Sequence, residues 1–210
     1  MNQLDGQTGI SVTGTGRMAI DAEIATLQVG VNLTDKNLED ARAAAASKLN
    51  EARNHLTSSG VAVADIKTTR LNVHTSFDRS VRRQIYHLTT GFDATIRDLG
   101  SAESIVNELF DVIGDGMDMR GLTFGVEDPS TGRAEAIELA FEDAKAKATH
   151  LARLAGVALG PVLAISEAEP AHYEARPMMR SAVAQSSADI PIEAGELDQR
   201  ATVSVRWAVD

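Results

Sequence analysis

Two stretches of the chain, Leu38–Ser58 and Arg133–Ala155, limit what it can fold into. In the first, Leu38, Ala41, Ala45, Leu49, Ala52 and Leu56 recur at spacings of three and four, which predicts a helix with one apolar stripe. In the second, Ile137, Phe141, Ala144, Ala148, Leu151 and Ala155 do the same. Both are rich in alanine, a strong helix former whose small side chain lets a helix lie close to its neighbour. Each runs out at a Gly-Val pair, Gly60-Val61 and Gly156-Val157, where a C-terminal cap is expected. A helix with one apolar stripe must bury it against another layer, so the flanking segments have to supply that layer.

Those segments alternate with period two. A short strand is expected over 10–15, and Leu27, Val29, Val31 and Leu33 alternate with Thr26, Gln28, Gly30 and Asn32 in the next. Over 66–77, Lys67, Thr69, Leu71, Val73, Thr75 and Phe77 share a face. Over 82–99, Phe92, Ala94 and Ile96 oppose Asp93, Thr95 and Arg97. Between these two strands Asp78-Arg79-Ser80-Val81 reads as a hairpin tip. Ser101 opens a short helix with a stripe of Ile105, Leu109 and Val112. Leu122, Phe124 and Val126 mark a strand before the turn Asp128-Pro129-Ser130-Thr131-Gly132. Strands over 162–167 and 201–209 follow the second long helix, with Trp207 expected to be buried.

The order strand, long helix, Gly-Val, strand, strand thus occurs twice. Aligning Gly60 with Gly156 matches Ala44 to Ala140 and Ala52 to Ala148. The expected class is α+β: two βαββ-like halves, about 22–99 and about 117–209, with the long Ala-rich helices packed on mainly antiparallel sheet. Residues 1–9 form a tail. Residues 168–198 show no period, contain Pro170, Pro177 and Pro191, and are expected to be an irregular loop.

Composition excludes several functions. The 210 residues include no cysteine, which removes disulfide scaffolds, thiolate metal sites and a cysteine nucleophile. A formal net charge of -10 argues against binding a phosphate backbone, and 4% aromatic residues argue against base stacking, so no nucleic acid partner is expected. No apolar run is long enough for a membrane-spanning helix. The first nine residues lack the basic start and apolar run of a signal peptide. The sequence as it stands reads as cytoplasmic; the alternative is a periplasmic or exported protein whose signal has been removed.

Few motifs carry chemistry. No G-x-S-x-G, H-E-x-x-H or Walker A sequence occurs, and no catalytic residue or cofactor is assigned. Gly14-Thr15-Gly16-Arg17-Met18-Ala19 fits a dinucleotide fingerprint, with Asp35 near the acidic position. The fingerprint works only at a helix N-terminus, and the next segment alternates as a strand, so a glycine-permitted bend or bulge is the expectation. His74 and His87 face each other if the hairpin centres near Ser80-Val81. They are candidate metal ligands or two polar residues on a solvated sheet face. His55, His150 and His172 are isolated. Asn32-Leu33-Thr34 matches a glycosylation acceptor at a strand end. Arg79, Arg82 and Arg83 at the hairpin tip, and Met178-Met179 in the aperiodic loop, are candidate contacts for a second subunit.

Several of these pieces, in their order and spacing, resemble one family. They are Ile10-Ser11-Val12-Thr13-Gly14-Thr15-Gly16, then Ile20-Asp21-Ala22 where the family usually has Pro-Asp, then Gly60-Val61 leading into Asp65-Ile66-Lys67-Thr68. Gly91-Phe92-Asp93-Ala94 and Arg97-Asp98-Leu99 follow, then Gly121-Leu122-Thr123-Phe124. Ala140, Asp143-Ala144, Lys147-Ala148 and Leu154-Ala155-Gly156, followed by Leu159-Gly160, complete the set. Over nearly the whole chain, 10–209, this resembles the SIMPL-domain family, which includes bacterial periplasmic immunogenic proteins and oxidative-stress defence proteins. The resemblance implies a non-enzymatic protein that self-assembles, in some members into large rings, with a link to envelope or oxidative stress. It carries over no catalytic residues. The leading expectation is therefore a non-catalytic, self-associating SIMPL-domain protein with a stress- or envelope-associated scaffold role and a homo-oligomeric state. The alternative is a small-ligand or metal-binding module using the cleft between the halves or the His74/His87 pair.

Overall fold

The alternating segments do become strands, most of them longer than their periodic cores. In chain order the elements are β1 (Ile10–Asp21), β2 (Ile24–Asp35), α1 (Leu38–Ser58), β3 (Ile66–Asp78), β4 (Arg83–Ile96), α2 (Ala102–Ile113), β5 (Met117–Gly125), α3 (Arg133–Ala155), β6 (Leu159–Glu167), the two-residue β7 (Glu174–Ala175) and β8 (Glu196–Val209). The structure is a computed structural model that describes residues 9–79, 82–128, 130, 132–168, 174–175 and 190–210. The class is α+β, with two antiparallel sheets. The chain divides into two units, one built from β2 to β5 with α1 and α2, the other from β1, α3 and β6 to β8.

In the first unit the sheet order is β3-β4-β2-β5. Asn37 caps α1 by accepting the Glu39 N–H at 2.9 Å, and Glu39 and Asp40 add negative charge where the helix dipole favours it. Helix α1 lies over β2 and β4. It buries Ala41, Ala45, Ala52 and Leu56 against Leu27, Val29, Val31, Phe92, Ala94 and Ile96. Helix α2 adds Ile105, Leu109 and Ile113 to the same core, and the Lys48 ammonium donates to the carbonyl of its last residue, Ile113. Leu56 is fully buried, so its loss would leave a cavity as well as exposing apolar surface.

Strand β5 hydrogen-bonds along β2. Residues 117–125 therefore sit with 22–99, although the sequence reading groups them with the second long helix. The strand beside β8 is instead β1, in one unbroken register from Ile10 opposite Trp207 to Asp21 opposite Glu196. This pairing joins the two ends of the chain, which no local pattern signals. Strand β8 also begins at Glu196, inside the stretch expected to be irregular.

The second unit has the order β1-β8-β6, with β7 also on β8. Helix α3 packs on β1 and β8. The face it buries is Ala136, Ala140, Ala144, Ala148 and Ala152, an unbroken line of alanines four apart. That differs from the expected stripe: Leu151 is exposed, while Ile137 and Phe141 only flank the core. The reason lies across the interface. A methyl group added at Gly14 would run into the Ala140 carbonyl and sit 2.5 Å from the Ala144 nitrogen; one at Gly16 would sit 2.6 Å from the Ala140 nitrogen. Helix and strand are in backbone contact, so only the smallest side chains fit between them. Trp207, buried as expected, closes the end of this core beside Phe141. The glycine alignment holds at one match and fails at the other: Ala52 and Ala148 are both buried, whereas Ala44 is exposed and Ala140 is buried.

Helix α3 also covers the outer edge of β1. Asp143 accepts the Thr15 N–H at 2.8 Å, and Lys147 donates to the Thr13 carbonyl at 3.0 Å and to Asp143 at 2.7 Å. These bonds satisfy backbone groups that an edge strand otherwise offers to another chain. The Lys147 ammonium and the Thr15 N–H hold the Asp143 carboxyl below the usual carboxylate range.

Gly14→Ala should destabilise the protein by about 1–3 kcal/mol or more, because backbone must move to admit the methyl; Ser11→Ala, on the exposed face of β1, should stay within about 0.5 kcal/mol. Urea unfolding midpoints compare the two. For Asp143 the folded pKa lies below the unfolded one, so its contribution is present above the ordinary carboxylate range and is lost as pH falls through the lowered value. Asp143→Asn should therefore lower Tm at neutral pH, with the gap to the parent protein closing in acid.

Candidate functional site

The polar residues of the first unit gather on the sheet face opposite α1. The faces are set by a bulge in β3. Thr68 stands opposite Phe92 and Arg70 opposite Gly91, so Thr69 is an extra residue that inverts the alternation beyond it. The single face expected for Lys67 to Phe77 is thus broken. Leu71, Val73, Thr75 and Phe77 lie on the same side as Leu88 and Phe92, while Arg70, Asn72, His74 and Ser76 lie on the other.

Arg70 begins one rung across all four strands: Arg70 on β3, Gly91 on β4, Gly30 on β2 and Asp118 on β5 are directly paired in sequence. The two outer residues form an ion pair at 3.4 Å, across three strand spacings, or about 14 Å of sheet. The guanidinium can lie that flat because the middle positions have no side chains; a methyl at Gly91 would sit 2.9 Å from Arg70 Nη2. Arg120 approaches the same carboxylate, also at 3.4 Å. Arg70 and Asp118 are half-buried, which raises the value of the pair above that of a surface contact. The sequence reading missed this arrangement. Its available signal was a glycine inside each of two strand patterns, which marks close approach of another group.

One side of this rung lies the histidine pair. His74 and His87 stand directly opposite, with ring centroids 4.7 Å apart and planes 14° apart. Imidazole lone pairs lie in the ring planes, so stacked rings aim them along near-parallel lines and not at a shared point, as a metal would require. His87 is further engaged on both nitrogens, with the Thr34 hydroxyl at 3.1 Å and the Ser76 hydroxyl at 2.8 Å. On the other side of the rung, Asp93 accepts from Thr69 at 3.0 Å and Gln28 at 3.5 Å. A recess of about 210 Å³ beside Gly60 is bordered by Asp65 and Arg97, whose two-point ion pair holds the Asp65 carboxyl below its usual range. The polar groups of this face engage one another, although Arg70 Nε is buried without a hydrogen-bond partner.

The remaining sequence candidates fall as follows. Gly14 to Ala19 lies wholly within β1, followed by β2 and not by a helix, so the phosphate-binding context is missing. The bend or bulge expected there is also absent, since the β1 register is unbroken; the glycines serve the approach of α3. Asn32 to Thr34 lies inside β2. Arg79 and Arg82 occupy the hairpin turn, Arg83 opens β4, and all three are exposed. Arg82 has a positive φ of 50°. Met178, Met179 and His172 lie outside the described residues. Among those residues, no group of three or more His, Asp or Glu side chains is placed to hold a metal ion.

The Arg70–Asp118 pair is tested by a double-mutant cycle. Arg70→Ala and Asp118→Ala should each destabilise the protein, and the double variant should cost less than their sum by a coupling on the order of 1 kcal/mol, read from urea unfolding of the four proteins.

The SIMPL family, a protein family of unknown function (DUF541), matches residues 10–207. The chain is 28% identical to the 26 kDa periplasmic immunogenic protein of Brucella melitensis biotype 1, over 99% of this chain and 88% of that protein. It is 24% identical to the uncharacterized protein YggE of Escherichia coli strain K12, over 100% of this chain and 84% of that protein. The matched span runs from the first residue of β1 to Trp207 in β8, and the chain belongs to the SIMPL family.

Proposed function

We propose that this chain is a non-catalytic, self-associating SIMPL protein with a scaffold role in the bacterial envelope, linked to stress. One observation carries the self-association. Leu71, Val73 and Phe77 are 74%, 43% and 64% exposed on one face of a single strand, an apolar surface that a monomer leaves in water. The family resemblance supports the scaffold and stress parts of the reading. The location we favour is the periplasm, the alternative of the sequence reading, because the Brucella relative is named as periplasmic. The cytoplasmic reading has no comparable support.

Light scattering on the purified protein at micromolar concentration tests the assembly. The expected particle mass is a multiple of the 22.3 kDa chain mass. A particle of one chain mass at every concentration would overturn the reading.

A further inference from the structure

We infer that β3 is the edge along which two copies of the chain pair, antiparallel and about a two-fold axis at His74, so that two four-stranded sheets become one. This rests on the self-association proposed above and names its surface.

A free edge is a template for another strand unless something blunts it. Strand β1 is capped by Asp143 and Lys147. Strand β6 contains Pro161, which has no N–H, and its register against β8 shifts twice. Strand β5 carries a bulge against β2. Strand β3 has its bulge near its start, at Thr69. From Arg70 to Asp78 it then runs in unbroken register on β4, outermost in its sheet. That leaves nine residues, about 30 Å of regular edge. Among the described residues, β3 beyond its bulge is an edge without a blunting device, and it carries Leu71, Val73 and Phe77.

Register narrows the pairing further. Residues opposed in an antiparallel ladder share a face and a hydrogen-bonding direction, so an isologous β3 pair can centre only on a residue. Centring on His74 sets Leu71 against the partner's Phe77, Val73 against the partner's Thr75, and Asn72 against the partner's Ser76. Apolar meets apolar or threonine, and amide meets hydroxyl. Moving the axis to Thr75 sets Leu71 against the partner's Arg79. Moving it to Val73 sets Phe77 against the partner's Thr69 and leaves Leu71 without an apolar mate.

Charge constrains the pairing as well. Chains carrying -10 each repel, so contact requires local compensation. In the His74 register the two hairpin tips lie at opposite ends of the ladder, keeping their arginines apart. The bulge at Thr69 ends the regular ladder at Arg70, so Arg79 has no directly opposed residue across the axis. No two carboxylates and no two arginines are therefore opposed along the ladder.

The chain has no cysteine, so single substitutions report contacts directly. Paired central residues in such a ladder have Cα atoms about 4.5–5.5 Å apart, within disulfide range. On mild oxidation His74→Cys should give a disulfide-linked dimer. Leu71→Cys should remain monomeric on a non-reducing gel, because its copy lies about 20 Å away. Leu71→Cys combined with Phe77→Cys should cross-link again, and this variant leaves His74 in place should its loss impair folding. An assembled particle in which neither His74→Cys nor the double variant cross-links, or in which Leu71→Cys cross-links equally well, overturns the β3 pairing and leaves self-association standing. A particle of one chain mass by light scattering overturns both.

Discussion

The backbone contact between α3 and β1 is the constraint on which the second unit depends. Helices normally sit on sheets at a distance set by side chains. Here Gly14 and Gly16 remove the side chains from one partner, and five alanines reduce them on the other. Close packing recovers in dispersion contacts part of what small side chains lose in hydrophobic area. It also brings Asp143 and Lys147 within reach of the β1 backbone, so the same approach that forms the core closes the edge. A larger residue at Gly14 would disturb both together.

That constraint also explains where sequence reasoning held and where it failed. The boundaries of α1 and α3 were legible, because helix propensity and glycine stops are local signals. So was the opposition of His74 and His87, because a short hairpin sets register from its tip. The buried face of α3 was not legible. Hydrophobic periodicity gives weight to Phe141 and Leu151, whereas a glycine-lined strand selects alanine, and nothing near the helix in sequence announces that strand. The faces of β3 were misread because a bulge at Thr69 leaves no mark on alternation. The β1–β8 pairing joins residues at opposite ends of the chain, and a single sequence carries no signal of such a contact.

Glycine does a second, different task in the first unit. At Gly30 and Gly91 it clears a path across the sheet, and Arg70 uses that path to reach Asp118. Strand interiors normally disfavour glycine, which has no side chain to pack and more backbone entropy to lose. The ion pair and the arginine stem lying over the bare backbone offset that loss, and they tie the outermost strands β3 and β5 together across the two between them. The bridge begins at Arg70, the residue immediately after the bulge. The bulge is what turns Arg70 to this face and Leu71 to the other.

One inserted residue therefore sorts the surface of β3 into two kinds. On one face lie Arg70, Asn72, His74 and Ser76, with Arg70 and His74 held by neighbours in the same sheet. On the other lie Leu71, Val73 and Phe77, in line with the core residues of β4 but beyond the cover of α1, which lies over β2 and β4. Had the alternation continued without the bulge, Leu71 would have pointed away from the core side and β3 would have had no continuous apolar row. The strand's exposed apolar face is thus a consequence of register, not of a weak sequence. It sits on a long regular edge that no side chain caps among the described residues, so the features that would fix a partner's direction and those that would favour its burial coincide on the same nine residues.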